Sequence, residues 1–312
     1  MANTKMRGVL SPVLTPFNPD YSVSRPRFVK HCRSLIEQDV GLAVFGTNSE
    51  ANSLSINEKR QLLDLLVDEG LPTHKMMPGT GQCAITDSIE LTRHAVDLGC
   101  GGVLMLPPFY YKGVSDEGLY RNYATIIDTI ADARLKIYLY HIPPVSQVGI
   151  SLDLIERLLK SYPENIAGIK DSSGNWDNTL AMLKQFQPAG FDVFAGSEAF
   201  LLQTLRNGGA GCITATGNVN PAAIAHLGAT WQDADADAQQ ARLNEVRGVF
   251  QKLPMIPAMK SAIASQALDP SWSVVRPPLV ELTQEQAAQL KSDLAGIDFQ
   301  INKADALAHL DA

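Results

Sequence analysis

The chain is 312 residues long, 45% hydrophobic, and carries a formal net charge of −7. That length suits one large barrel or two ordinary domains, and an acidic chain without a Lys/Arg-rich run offers no nucleic-acid surface. No apolar run approaches the roughly 20 residues that span a bilayer. The N-terminal MANTKMRGVLSP lacks a signal-peptide core followed by a small-residue cleavage site. A cytoplasmic protein without membrane association is expected.

Short apolar runs, each closing in Gly, Pro, Ser or Thr, recur at a spacing of roughly 30 residues. In chain order they are GVLSPVLT from Gly8, GLAVFGT from Gly41, KMMPGTG from Lys75 and GVLMLPP from Gly102. KIYLYHIP from Lys136, IAGIKDS from Ile166, DVFAGS from Asp192 and GCITATG from Gly211 complete the set. Near-continuous apolar strings of this length fit strands buried on both faces. Between them lie stretches of helical period. INEKRQLLDLLVDEG follows Ser55, which has Glu58 at capping-box spacing. SIELTRHAVDLG closes at Gly99, and LDLIERLLKSYP stops before Pro163.

Strand and helix alternating eight times predict an α/β chain closed as a (β/α)8 TIM barrel. A doubly wound sheet fits less well, because no GxGxxG follows the first strand. Beyond Pro221 four helical stretches follow without strands: AAIAHLGATWQ, AQQARLNEVRGVFQKL, PAMKSAIASQA and TQEQAAQLKSDLAG. The first can serve as the eighth barrel helix. The expected division is a catalytic barrel over 1–225 and a helical C-terminal region over 226–312.

Cys32, Cys83, Cys100 and Cys212 are far apart, form no CxxC pair and read as small apolar core residues. The six histidines are scattered, without HExxH or HxH. No metal site is expected, which argues against a metal-dependent aldolase.

Active sites of such barrels form at the C-terminal ends of the strands. Three features stand out there. Lys170 ends the apolar run NIAGIK; an amine in such a place is partly desolvated and can act as a nucleophile toward ketones. Its structural alternative is a lysine reaching solvent or pairing with Asp171. Tyr140 ends the preceding strand, close enough to pass protons to or from that amine, or else is a rim aromatic with its hydroxyl bonded locally. In GTNSE, Gly46 to Glu50, small residues allow backbone N–H groups, with the hydroxyls of Thr47 and Ser49, to cradle a carboxylate. An ordinary turn leading to the Ser55-capped helix explains the same residues.

Taken in order, GVLSPVLTPF, GTNSEANSLS, PPFYY followed by DEGLY, YHIP, GIKDSSGN and GGAGCITATGNVNP carry a resemblance. From about Arg7 to Asn220 the chain resembles the dihydrodipicolinate synthase / N-acetylneuraminate lyase family of Schiff-base, pyruvate-dependent aldolases. The resemblance implies Lys170 as the imine-forming lysine and Tyr140 as proton shuttle. Thr47 and the backbone of Asn48 would hold the carboxylate, and the Thr47 hydroxyl would link Tyr140 to a second tyrosine. Tyr110 matches that tyrosine, with Tyr111 as its rival, because KGVSDEGLY carries an extra residue. Ile213 would present a carbonyl to the substrate.

One departure bears on specificity. Where synthases of this family place an arginine for the aldehyde's carboxylate, the chain has Val145, which offers no donor. HIPPVS resembles instead the sugar-acid aldolase branch, in which Ser172, Gly196, Ser197 and Glu198 would contact a polyol chain. The expected activity is therefore a class I lyase that cleaves or condenses a 2-keto-3-deoxy sugar acid or related 4-hydroxy-2-keto acid, or dehydrates it. Its partners would be pyruvate and an aldehyde, with no cofactor beyond the lysine imine, in a homo-oligomer that the resemblance makes a tetramer. The alternatives are 4-hydroxy-tetrahydrodipicolinate synthase, for which Lys112 would have to replace the missing cation, and a non-catalytic keto-acid-binding protein.

Overall fold

A computed structural model describes residues 5–301. The chain runs β1 (Gly8–Ser11), α1 (Arg25–Glu37), β2 (Gly41–Leu42), α2 (Ile56–Asp68), α3 (Ile85–Asp97), β3 (Val103–Met105) and α4 (Asp116–Ile130). It continues through β4 (Ile137–His141), the short α5 (Pro143–Ser146), α6 (Leu152–Ser161), β5 (Ile166–Asp171) and α7 (Trp176–Phe186). Then come β6 (Asp192–Ala195), α8 (Leu201–Arg206), β7 (Gly211–Ile213), α9 (Pro221–Thr230), α10 (Ala236–Gln251), α11 (Met255–Ala267) and α12 (Gln284–Gly296). Ser55 and Glu58 form the capping box at the start of α2: Ser55 N donates to Glu58 at 2.8 Å and Glu58 N to Ser55 Oγ at 3.2 Å.

The strands are all parallel, in the order β2-β1-β7-β6-β5-β4-β3. The run expected as a strand from Lys75 is not one. Pro78 has no N–H to donate, so the ladder is broken, and the segment holds only isolated bridges, Leu42 with Met76 and Gly79 with Leu104. Those bridges nevertheless close the sheet. Met77 N donates to Leu42 O at 2.8 Å and Gly79 N to Val44 O at 2.7 Å on one side. Leu104 N donates to Pro78 O at 2.9 Å and Thr80 N to Leu104 O at 3.1 Å on the other. The result is a (β/α)8 barrel in which one strand is reduced to paired backbone.

Side chains alternate across each strand, and one set fills the barrel: Leu10, Ala43, Met77, Leu104, Tyr138 and Phe194 form an apolar interior cluster. Tyr138 lies between two glycines. A Cβ on Gly102 would meet its ring at 2.7 Å and one on Gly168 at 2.9 Å, so larger residues there would expel the ring. The Tyr138 hydroxyl accepts from Met6 N at 3.1 Å, and its ring meets Phe194 edge-on. This floor closes the barrel beneath the β4 and β5 C-termini.

The opposite faces of the strands pack against the helices around them. Helix α9 packs on β1. Helices α10, α11 and α12 share a second cluster in which Phe250, Met259, Ile263, Trp272 and Leu290 meet Leu14, Ala215 and Val219 from the mouth of the barrel. The C-terminal helices therefore touch the end of the barrel that carries the strand C-termini. Cys32, Cys100 and Cys212 are buried as expected, whereas Cys83 is exposed, because it lies in the loop before α3 rather than on a packed face. Among the described residues no helix is long and apolar enough to cross a membrane.

Candidate active site

Tyr140 and Lys170 stand opposite each other in the β4–β5 register, on the face that points into the barrel. Both are buried; Lys170 is 2% exposed. Its amine lies 4.3 Å from the centre of the Tyr140 ring and takes part in no ion pair and no hydrogen bond to the described residues. The pairing of Lys170 with Asp171 is not formed. Successive strand residues face opposite sides, and Asp171 spends its carboxylate outside the barrel. It accepts from Ser173 N at 2.9 Å, Asn178 Nδ2 at 3.0 Å and Thr179 Oγ1 at 2.6 Å, fastening the start of α7. His141, in register with Asp171 on that outer face, accepts from Ile150 N at 2.9 Å. Burial holds its imidazole below the usual range, against the pull of Asp171.

The Tyr140 hydroxyl is bonded to Thr47 Oγ1 at 3.0 Å. Thr47–Ser49 form one 3₁₀ turn after β2. Gly46 N donates to Ser49 Oγ at 3.2 Å, and Thr15 Oγ1 donates to the Ser49 carbonyl at 2.7 Å. The N–H groups of Thr47 and Asn48 are those such a turn leaves free, and neither bonds another backbone group. Gly79 closes in beneath: a Cβ there would sit 2.1 Å from the Phe45 carbonyl oxygen. Between Phe45, Thr47, Gly79, Gly81 and Tyr140 is a pocket of about 20 Å³, room for one small polar group. A larger groove of about 550 Å³ runs between α11 and α12, lined by residues such as Ala262, Leu290 and Phe299. It holds no set of convergent titratable groups, so the barrel mouth, not this groove, is the chemically equipped site.

The other expected residues divide. Ile213 ends β7, buried in the same interior cluster as Tyr140. Ser172 and Gly196 are in close contact: a Cβ on Gly196 would fall 2.1 Å from Ser172 Oγ, so only glycine fits beside that serine. Ser197 caps the next turn, its Oγ accepting from Ala199 N at 3.1 Å. Glu198 does not fit the role of a polyol contact. It is buried, both oxygens accept from the hydroxyls of Thr214 and Thr216, and Arg247 of α10 pairs with it at 2.7 Å. Its carboxylate is consumed by the scaffold. Tyr110 and Tyr111 are 74% and 73% exposed, packed edge-on against each other; neither bonds Thr47 within the chain.

Some residues that shape the mouth escaped the sequence reading. Asn218 accepts from Leu14 N at 2.9 Å and donates to Pro12 O at 3.2 Å and Ala215 O at 2.8 Å, while His31 bonds its oxygen at 2.9 Å. Glu50 is buried against Lys260. The only sequence signal for that pair was a lysine inside the otherwise small and apolar PAMKSAIA.

The fold is a parallel α/β barrel, with a buried amine beside a phenol at the C-terminal ends of adjoining strands. The chain matches the model of the dihydrodipicolinate synthetase family over residues 5–297, and it belongs to that family. It is a lyase. An uncharacterized DapA-like lyase of Chloroflexus aurantiacus is 34% identical over 294 residues, covering 92% of this chain and 95% of that protein. A 4-hydroxy-tetrahydrodipicolinate synthase of Desulforamulus reducens is 30% identical over 297 residues, covering 94% and 97%. Among solved structures, a prophage protein of the dihydrodipicolinic acid synthase family from E. coli K12, crystallised in complex with pyruvate, superposes with a TM-score of 0.85. It is 28% identical, with 94% of this chain and 98% of that one covered. Dihydrodipicolinate synthase from Agrobacterium tumefaciens gives a TM-score of 0.86 at 27% identity, with 93% and 99% covered.

Proposed function

We propose that the chain is a class I lyase acting on a 2-keto-3-deoxy sugar acid or related 4-hydroxy-2-keto acid, with pyruvate as the keto-acid product or partner. The observation that carries this reading is the Lys170 amine, buried, free of any carboxylate and 4.3 Å from the Tyr140 ring. Lys170 attacks the keto carbon, and water leaves as the imine forms. The protonated imine then draws electrons: the C3–C4 bond breaks, the 4-hydroxyl gives up its proton, and aldehyde and enamine result. Protonation of the enamine at C3 and hydrolysis of the imine return pyruvate and the amine. Tyr140, bonded to Thr47, passes the protons. Thr47 and the Asn48 N–H hold the carboxylate, and Ser172 and Ser197 at the β5 and β6 ends lie where a hydroxylated chain would extend. The imine itself is the electron sink, so the route needs no added cofactor.

The working form is a homo-oligomer, a tetramer by resemblance. Among the described residues Thr47 Oγ1 bonds the Tyr140 hydroxyl, and the exposed Tyr110, or its rival Tyr111, is free to act as the second tyrosine by reaching a second copy.

A second reading, 4-hydroxy-tetrahydrodipicolinate synthase, has one specific observation in its favour. Val145 stands 62% exposed on α5, and Lys112 lies against the same turn, donating to the Ser146 carbonyl at 2.7 Å. A cation is thus beside the position where an arginine would be needed. It is engaged by that carbonyl and by the carbonyl of Phe109, which favours the first reading.

The test is borohydride reduction with pyruvate, followed by mass spectrometry of the wild type and Lys170→Met. An adduct on Lys170 alone is expected, and equal yields in both proteins would remove this lysine from the chemistry. Pyruvate release from a panel of 2-keto-3-deoxy acids, run beside synthase turnover, ranks the two readings.

A further inference from the structure

The turn that carries Thr47 and Asn48 is bracketed by two non-glycine residues in the left-handed region, Phe45 at φ 63° and Glu50 at φ 55°. Each such residue costs roughly 1 kcal/mol or more and persists only where its surroundings enforce it. At Phe45 the close passage of Gly79 supplies part of that enforcement. At Glu50 the enforcement comes from the C-terminal helices.

Glu50 is buried, and one carboxylate oxygen pairs with Lys260 of α11 while the other accepts from Arg276 N at 2.9 Å. Lys260 is fully buried; it also donates to the Val274 carbonyl at 2.8 Å and lies 4.4 Å over the Phe17 ring. Arg276 holds the far end of the same loop. Its guanidinium donates to the Ser53 carbonyl at 2.6 Å, pairs with Glu58, and lies 4.6 Å over the Phe17 ring. That pairing holds the Glu58 carboxyl down at about 2. None of these charges belongs to the mouth. They hold Glu50, Ser53 and Ser55, and Arg276 also ties this loop to the Tyr21 carbonyl, donating to it at 2.8 Å.

We infer that Glu50, Lys260 and Arg276 are positioning residues for the keto-acid carboxylate: helix α11 and the segment after it set the Thr47–Asn48 turn in its binding geometry. The inference rests on the keto-acid reading of that turn. Its physical basis is that a buried ion pair fixes direction better than apolar packing does, because an ammonium displaced from its carboxylate leaves a charge uncompensated. A one-residue relaxation of Glu50 out of the left-handed region would swing the two free N–H groups and the Thr47 hydroxyl together. Tyr140 on β4 and Lys170 on β5 would stay where they are.

That separation makes the inference testable with two probes. Pyruvate carries the carboxylate; acetone is a ketone without one. Borohydride trapping on Lys170, titrated with each, gives a half-saturating concentration for both. Glu50→Gln keeps the shape and removes the charge, and is expected to raise the value for pyruvate tenfold or more while leaving that for acetone within twofold. The double variant Glu50→Gln/Lys260→Met removes both charges and guards against a single variant that fails to fold; the same pattern is expected. Equal shifts for pyruvate and acetone would mean a general loosening of the barrel and would overturn the inference, as would no shift for either. Failure to trap pyruvate on Lys170 in the wild type is a different outcome: it overturns the keto-acid reading and the inference with it.

Discussion

Replacing Arg247 by Met tests whether the mouth of the barrel depends on buried charge. Arg247 is 12% and Glu198 2% exposed at the side chain, and their atoms approach to 2.7 Å. Water is nearly excluded from the pair, so the residual charge on Glu198 in the variant would have only the Thr214 and Thr216 hydroxyls as donors. Removing one partner of a buried pair costs about 3–5 kcal/mol. Two remaining hydroxyl bonds, each worth roughly 1 kcal/mol or more to a charged group, place the expectation at the lower end, about 3 kcal/mol. Glu198→Gln should cost a similar amount by stranding the guanidinium. The double variant, with neither charge, should cost well below the sum of the two, leaving a coupling energy of about 2 kcal/mol. Urea unfolding of the four proteins measures it. Single-variant costs below about 1 kcal/mol, or costs that simply add, would refute the claim that the pair is desolvated. The same Glu198→Gln protein answers a second question. Were Glu198 a contact to substrate hydroxyls, selectivity between a long polyol acid and a short keto acid would change; a scaffold role leaves that ratio alone.

Tyr140→Phe removes the phenol and keeps the ring against Lys170; turnover should fall by about 10²–10⁴, with the pyruvate adduct still reducible on Lys170, as stopped assays and mass spectrometry would record. His31 is fully buried beside Asn218 and Trp272, and burial pushes its imidazole down to about 4, against the Asn218 bond that raises it. Its folded pKa is below the unfolded value of about 6.5, so the unfolded chain takes up the proton first and stability is lost as pH falls from about 6.5 toward 4. Between pH 7 and 5 the wild type should lose about 2 kcal/mol more than His31→Gln, measured by urea melts at both values. Gly79→Ala would force a Cβ to within 2.1 Å of the Phe45 carbonyl oxygen. Because Phe45 meets that Cβ with its backbone, barrel closure should fail, seen as loss of soluble protein or a drop in Tm of about 5 degrees or more, roughly what 3 kcal/mol does in a chain this size.

The barrel was legible because its cause is local and repeated. Each βα unit writes its own apolar run, its own helical period and its own stop, so the element order, the Ser55–Glu58 cap and the end of α3 near Gly99 could all be read along the chain. The Lys75 run misled because hydrophobicity alone does not make a ladder; Pro78 withholds a donor, and closure falls to isolated bridges. The positions of Lys170 and Tyr140 at strand C-termini were readable from the apolar runs, and their mutual register followed from neighbouring strands. Glu198 was misread because a carboxylate at a strand end looks the same whether it faces substrate or a distant arginine.

What the amino-acid order determined by itself was therefore everything governed by short-range periodicity: the fold class, and the places of Lys170 and Tyr140 at adjoining strand ends. What only the tertiary structure decided was the use of each charge. Glu50 meets Lys260 and Glu198 meets Arg247 across long stretches of chain, and Asp171 turns outward to α7 while its neighbour Lys170 faces in. Such pairings depend on which helix packs over which loop. No window along the chain contains both partners, so their chemistry appears only when the C-terminal helices settle on the barrel mouth.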